Sequence, residues 1–228
     1  ANRVPLKIIQ KQNDSLLQIE ALFFGQAGLL EEEKGDKYYM DLRKEYSFLK
    51  AKYSLSPIDV STWRFLRLRP NNFPHIRLSQ LALIYHNVHS MLSSIVEADD
   101  KKKINTIFSC GASEYWNNHY SFGKESTSFH KSISKSSIEL IIINSIVPIL
   151  YSYGKHRGDE TLCERAIQLL ENTKSEYNYI TRIWDECGVK VDNAADSQAI
   201  IQLKKEYCDK KRCLSCRIGY FYLKKHLQ

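Results

Sequence analysis

Four arginines, Arg64, Arg67, Arg69 and Arg77, fall in the stretch WRFLRLRPNNFPHIR without one acidic residue among them. A guanidinium presents a planar fork of donors that matches two oxygens of a phosphate or a carboxylate. With no carboxylate beside them in sequence, these side chains hold either an anion from outside or the protein's own backbone and distant acids, such as those at 31–36. An extended RFLRLRP would send Arg67 and Arg69 to one side and Leu66 and Leu68 to the other. Pro70 ends that piece, Asn71-Asn72 suits a turn, and Pro74 leads into a helix whose first turn holds Arg77. A cation there opposes the helix dipole unless an anion lies between. Arg67, Arg69 and Arg77, with His75, therefore form a candidate phosphate site beside a helix N-terminus.

A second set lies near the C-terminus, where CDKKRCLSC places Cys208, Cys213 and Cys216 at C-x4-C-x2-C spacing. Close-spaced thiolates of this kind hold zinc or an iron–sulfur cluster. The three converge only if DKKR breaks the helix, and a fourth ligand must come from Cys187 upstream or His226 downstream. No later cysteine completes a ferredoxin-type pattern, so zinc is preferred to a cluster. The alternative is that all three are small buried side chains on a terminal helix. Lys210, Lys211 and Arg212 between the thiols would lower their pKa values, and they make a second candidate anion cluster.

Other constellations carry less. His86 and His89 stand three apart with no carboxylate at helical spacing, which favours satisfied side chains over ligands. Trp116, His119, Tyr120 and Phe122 lie near Lys124 and Lys131, where rings could stack on bases but are preferred as the edge of a helical core. Cys110 has no neighbouring base to mark it as a nucleophile. The sequence holds no GxSxG, HExxH or GxGxxG motif.

The charge balance singles out the same two basic segments. Residues 1–63 hold nine basic and nine acidic residues, 64–77 hold four and none, 78–198 hold twelve and fifteen, and 199–228 hold eight and two. The net charge of +7 is thus local, which favours binding patches over a generally basic protein. With 228 residues, 43% hydrophobic, the chain suits one domain or two small ones, and is read as a single helical domain. Six cysteines clustered toward the C-terminus suit a reducing compartment, hence a cytoplasmic protein. The apolar tract from Ile138 to Tyr153 contains Glu139, Asn144 and Pro148 and falls short of the roughly 20 residues that cross a bilayer. The chain opens on Ala1-Asn2 without a methionine, so it reads as an excised piece of something longer or a processed product, and no cationic start followed by an apolar stretch marks a secretory signal here.

The elements that must position these residues read mainly as helix. DSLLQIEALFFGQAG starts at an Asp14/Ser15 cap. DKYYMDLRKEYSFLKAKYSL puts Tyr39, Leu42, Tyr46 and Leu49 on one face, and LSQLALIYHNVHSML follows Pro74. KSSIELIIINSIVPILYSYG is apolar nearly all round and is placed centrally, kinked by Pro148 and stopped by Gly154. DETLCERAIQLLENT, YNYITRIWDECG and DSQAIIQLKKEYC follow, capped by Asp159, closed by Gly188, and capped by Asp196 or Ser197 respectively. Short loops between helices argue for a compact mainly α fold with little or no sheet. Ser121 to Ser137, rich in Ser, Thr and Lys, reads as a mobile surface loop.

FLRLRPNNFPHIRLSQLA, with IEALFFGQAGLL before it, resembles an uncharacterised bacterial family common in Bacteroidetes, domain of unknown function 2851. SSIELIIINSIVPILYSYG and DSQAIIQLKKEYCDKKRCLSCRIG are similar to the same family. The resemblance implies longer members, of which this chain matches the C-terminal half. It also implies an N-terminal half with acidic and histidine motifs similar to metal-dependent nuclease-like folds. It carries no activity to transfer. The expected function is a non-catalytic module binding nucleic-acid phosphate or another polyanion through Arg67, Arg69, Arg77 and the Lys/Arg-rich tail. The alternatives are part of a metal-dependent enzyme completed by an N-terminal half, and a structural or protein-interaction domain.

Overall fold

Caps and buried stripes set the helices in this computed structural model, which describes residues 4–226. α1 (Leu6–Gln10) is short. α2 (Leu16–Gln26) starts where the Ser15 hydroxyl accepts from the Gln18 N–H, and it buries Ile19 to Gln26 without a break. α3 (Lys37–Tyr53) starts on the Asp36 carboxylate and buries Tyr39, Leu42, Tyr46 and Leu49, the stripe its spacing predicts. α4 (Pro74–Asn87) begins on proline with no side-chain cap. α5 (Met91–Glu97) and α6 (Lys101–Phe108) follow. A hairpin of β1 (His119–Ser121) and β2 (Lys124–Glu125) pairs antiparallel, with His119 opposite Glu125. α7 (Lys135–Ile141), α8 (Val147–Arg157), α9 (Glu160–Glu171), α10 (Tyr179–Glu186), α11 (Ala194–Leu203) and α12 (Arg217–His226) complete a mainly α fold.

The chain divides into two compact units. One comprises Ala1–Ala98 with Lys102–Ser134, and the other Asp99–Lys101 with Lys135–Gln228, where the composition suggested one domain. In the first unit, Phe24, Leu42, Ile76 and Trp116 are closed off from solvent in a core that also holds Tyr39 and Tyr46. Phe24, Trp116 and Phe122 meet ring to ring at 5.1–5.4 Å. In the second unit, Ile180, Ile200 and Ile201 form a smaller cluster with Trp184 and Val191 against it.

The central apolar helix departs from expectation. Pro148 lacks an N–H and crowds the preceding turn, and a π-helical turn at Ile142–Ile146 absorbs both defects, so the helix runs on. Gly154 does not stop it. That glycine is buried where a Cβ would come within 2.8 Å of Cys163 Sγ, and so lets α8 and α9 approach. Gly158, with φ 69°, is the C-terminal cap. The whole run Lys135–Arg157 spans 23 residues and is long and apolar enough to cross a membrane by length and composition. Its buried stripe, Ile142, Ile146 and Leu150, also fits a core helix packed on α9.

The Ser/Thr/Lys stretch that reads as a mobile loop is fastened instead. Ser126 and Phe129 N–H groups donate to the carbonyls of Asn118 and Asn117, and Ile133 N–H donates to Cys110. Lys131 is 2% exposed, its ammonium donating to the carbonyls of Trp116 and Asn117 and lying 4.2 Å from the centre of the Tyr120 ring. α11 is capped by Asn193, not by Asp196 or Ser197, and Asp196 returns the favour by accepting from the Asn193 N–H.

Candidate functional site

RFLRLRP is not a strand. It crosses the surface of the first unit as a loop with a turn at Leu66–Arg67, and Arg67 sits in the left-handed region at φ 64°. Two aromatic pins hold the loop. Trp63 Nε1 donates to the carbonyl of Ala27 at 2.8 Å, and the Phe65 ring lies 5.9 Å from Phe73 and 5.6 Å from His75. Between and beyond the pins, Arg64, Arg67 and Arg69 are exposed, and none forms an ion pair among the described residues. The inward reading, arginines bracing carboxylates at 31–36, does not hold for these three.

Arg77 differs. Its guanidinium donates to Asn72 Oδ1 at 2.6 Å and to Gln80 Oε1 at 3.0 Å, and partial burial lowers its pKa. These are neutral acceptors, so its charge is oriented without being cancelled by them. His75 leaves the proposed set for a physical reason. It is 8% exposed, ringed by Phe24, Phe65, Trp116 and Phe122, with Nδ1 unpartnered. Desolvation pushes its pKa down to about 4, so at neutral pH it is an uncharged core ring.

The arginine segment, the central helix and their surroundings lie within residues 1–179, which match the family described as Protein of unknown function (DUF2851). The chain belongs to that family. No curated protein and no solved structure matches it. Residues 196–219, where the sequence also resembles the family, lie beyond the matched segment of DUF2851.

In that C-terminal segment α11 runs on through a π turn at Lys204–Cys208, and the helix breaks over Asp209–Arg212 before a 3-10 turn at Cys213–Ser215, as convergence of the thiols requires. Cys208, Cys213 and Cys216 line one apolar pocket of about 170 Å³ with Trp184, Leu203 and Tyr207. Cys187, exposed at the end of α10, is not in that lining, and the side chain of His226 lies outside the described part. Among the described residues no group of three or more His, Cys, Asp and Glu side chains could hold a metal ion. Of the neighbouring cations, Lys210 pairs with Glu206 and Lys204 with Asp209. Lys211 and Arg212 are exposed and form no ion pair among the described residues.

Sequence reasoning missed the most complete polar cluster of the first unit. Glu20 is 2% exposed, and its carboxylate accepts from Ser79 and Ser113 at 2.7 Å and from Tyr38 at 2.8 Å. Desolvation raises its pKa against the pull of those donors. Nearby, Asp36 both caps α3 and accepts from Tyr115 and the Gly123 N–H. Desolvation there is outweighed by the hydrogen bonds, which hold its carboxyl below the usual range. The only signal for Glu20 was a lone acid inside a continuous apolar run. Among the weaker candidates, His86 Nδ1 donates to the Asn13 carbonyl at 2.7 Å. Burial pushes the Cys110 thiol up to about 11, the opposite of what a nucleophile needs.

Proposed function

We propose that this protein is a non-catalytic module that binds nucleic-acid phosphates, with Arg64, Arg67 and Arg69 as its first contacts and Arg77 behind them. One observation carries the reading: three guanidinium groups stand on a pinned surface loop, exposed and with no acid paired to them among the described residues. A fork held near its target loses less freedom on binding than one on a loose tail. The aromatic pins supply that preorganisation. All six cysteines are free thiols, which supports a reducing, cytoplasmic setting.

The test is binding of labelled duplex and single-stranded DNA and RNA across a salt series. Each phosphate neutralised should contribute a slope of about −0.9 in log K against log salt for duplex and about −0.7 for single strands. Three arginine contacts give a duplex slope of about −3 from this loop. Affinity that ignores ionic strength, or no binding at low salt, removes the electrostatic basis of the proposal.

A further inference from the structure

The second unit exposes its aromatic side chains to an unusual degree. Phe221 is 70% exposed, Tyr220 56% and Tyr177 81%. Buried rings are what stabilise a fold, so rings left outside gather where a partner covers them. α12 is set on the body of the unit through Gly219, where a Cβ would lie 2.5 Å from the Cys213 carbonyl. Gly219 and Leu223 are half-buried on that side, while Arg217, Tyr220, Phe221, Lys224 and Lys225 are exposed. The two acids of residues 199–228, Glu206 and Asp209, are already paired with Lys210 and Lys204. Arg217, Lys224 and Lys225 form no ion pair among the described residues.

Rings interleaved with uncompensated cations fit one kind of partner: a polyanion whose units carry flat, stackable faces. Single-stranded nucleic acid has both, since its bases are unpaired and its backbone is charged. A duplex offers the charge but hides the faces. An anionic lipid surface also offers charge and accepts rings, but it needs a continuous apolar face, and here the exposed rings of Tyr220 and Tyr222 carry hydroxyls and stand among the exposed cations Arg217, Lys224 and Lys225. We infer that α12 is a base-stacking platform that makes single-stranded nucleic acid the preferred ligand of this protein. The inference rests on the nucleic-acid reading above and assigns its strand preference to Tyr220 and Phe221, with Arg217, Lys224 and Lys225 as the phosphate partners.

The experiment uses the full chain and four probes: an oligothymidine of about 20 nucleotides, long enough for one site, its duplex, an abasic backbone of the same length, and vesicles containing phosphatidylserine. The single strand should bind about tenfold or more tighter than the abasic backbone, because stacking is lost with the bases. Tyr220→Ser with Phe221→Ser should erase that difference. It should leave the salt slope and duplex affinity unchanged, and an unshifted melting temperature verifies the fold. Equal binding of single strand and abasic backbone, or an unaltered preference in the double variant, overturns the inference. So does vesicle binding that the double variant abolishes while single-strand binding persists. Failure of every nucleic-acid probe would sink the phosphate reading itself. Salt-dependent duplex binding without strand preference sinks only the platform.

Discussion

Lys131 and Arg67 carry the same formal charge in the same compact unit, and each stands in a stretch without regular helix. Lys131 is enclosed, with its ammonium spent on the carbonyls of Trp116 and Asn117. Arg67 is exposed on its turn with no acid paired to it among the described residues. Lys210 of the second unit falls between the two, exposed but matched to Glu206 one helical turn before it. A count of charges treats the three alike. What distinguishes them is how much of each charge the protein has already used, and only the remainder can attract a ligand.

The largest effect should come from the enclosed cation. Lys131→Met keeps most of the volume and removes the ammonium, leaving the Trp116 carbonyl without its donor while that of Asn117 keeps the Phe129 N–H. An unsatisfied buried polar group costs about 1–3 kcal/mol and the cation–π contact with Tyr120 is lost as well, so denaturant unfolding should show a loss of about 3 kcal/mol. Anion binding should not change. A variant as stable as the parent would erase the contrast between used and unused charge.

His75 sharpens the same contrast through pH. Its folded pKa lies near 4 against the ordinary 6.5, so the unfolded chain takes up the proton first as pH falls. The contribution of the neutral ring is whole above pH 6.5 and is lost progressively down to pH 4. Between pH 7 and 5 that amounts to about 2 kcal/mol. His75→Phe should remove that part of the acid sensitivity in unfolding curves taken at the two pH values. Glu20, whose raised pKa acts in the opposite sense, is common to both proteins and cancels in the difference. A histidine serving the anion site would behave otherwise, strengthening phosphate binding on acidification.

How far these outcomes were legible in the sequence depends on what each residue answers to. Tyr39, Leu42, Tyr46 and Leu49 answer to helical periodicity and fell where the spacing put them. The outward placing of Arg67 and Arg69 was one of two readings left open, and the turn that presents them was not legible, because Leu66 and Leu68 mimic a strand's alternation. Leu66 is 90% exposed and has no inner face at all. Lys131 and His75 were misplaced for one reason. Their positions are fixed by distant partners, carbonyls fifteen and fourteen residues back for the lysine and rings of α2 and the Tyr120 region for the histidine, which no local pattern encodes. The π turn before Pro148 was hidden similarly, since proline announces a defect in the helix without saying which one will absorb it.

The exposed arginines come next in size. Arg67→Asn suits the left-handed backbone and Arg69→Ala removes the second fork. Together they should flatten the duplex salt slope by about 2, at about 0.9 per contact. Stability should stay within about 0.5 kcal/mol, as for surface changes with no packed partner. A melting temperature that drops by many degrees would mean the guanidinium groups brace the loop after all. The binding assay and the melting curve therefore separate the two roles that sequence alone left open.

The smallest effect tests the intermediate case. Glu206→Gln with Asp209→Asn removes the partners of Lys210 and Lys204 without touching a basic residue. Both acids are exposed, and such pairs contribute little to stability, so the melting temperature should hardly move. The freed ammonium groups are strongly hydrated and sit on long flexible stems, so only part of their charge reaches a phosphate. Affinity for single-stranded nucleic acid should rise about threefold at low salt and the gain should vanish above the ionic strength where the Debye length falls to a few ångströms. The direction is the informative part: removing acids that were never paired would raise affinity at long range and by a similar amount wherever in the tail they stood. Asp185→Asn with Asp192→Asn, at two exposed acids that form no ion pair among the described residues, provides that control. Equal gains from both pairs would mean that total charge, not its local use, governs binding.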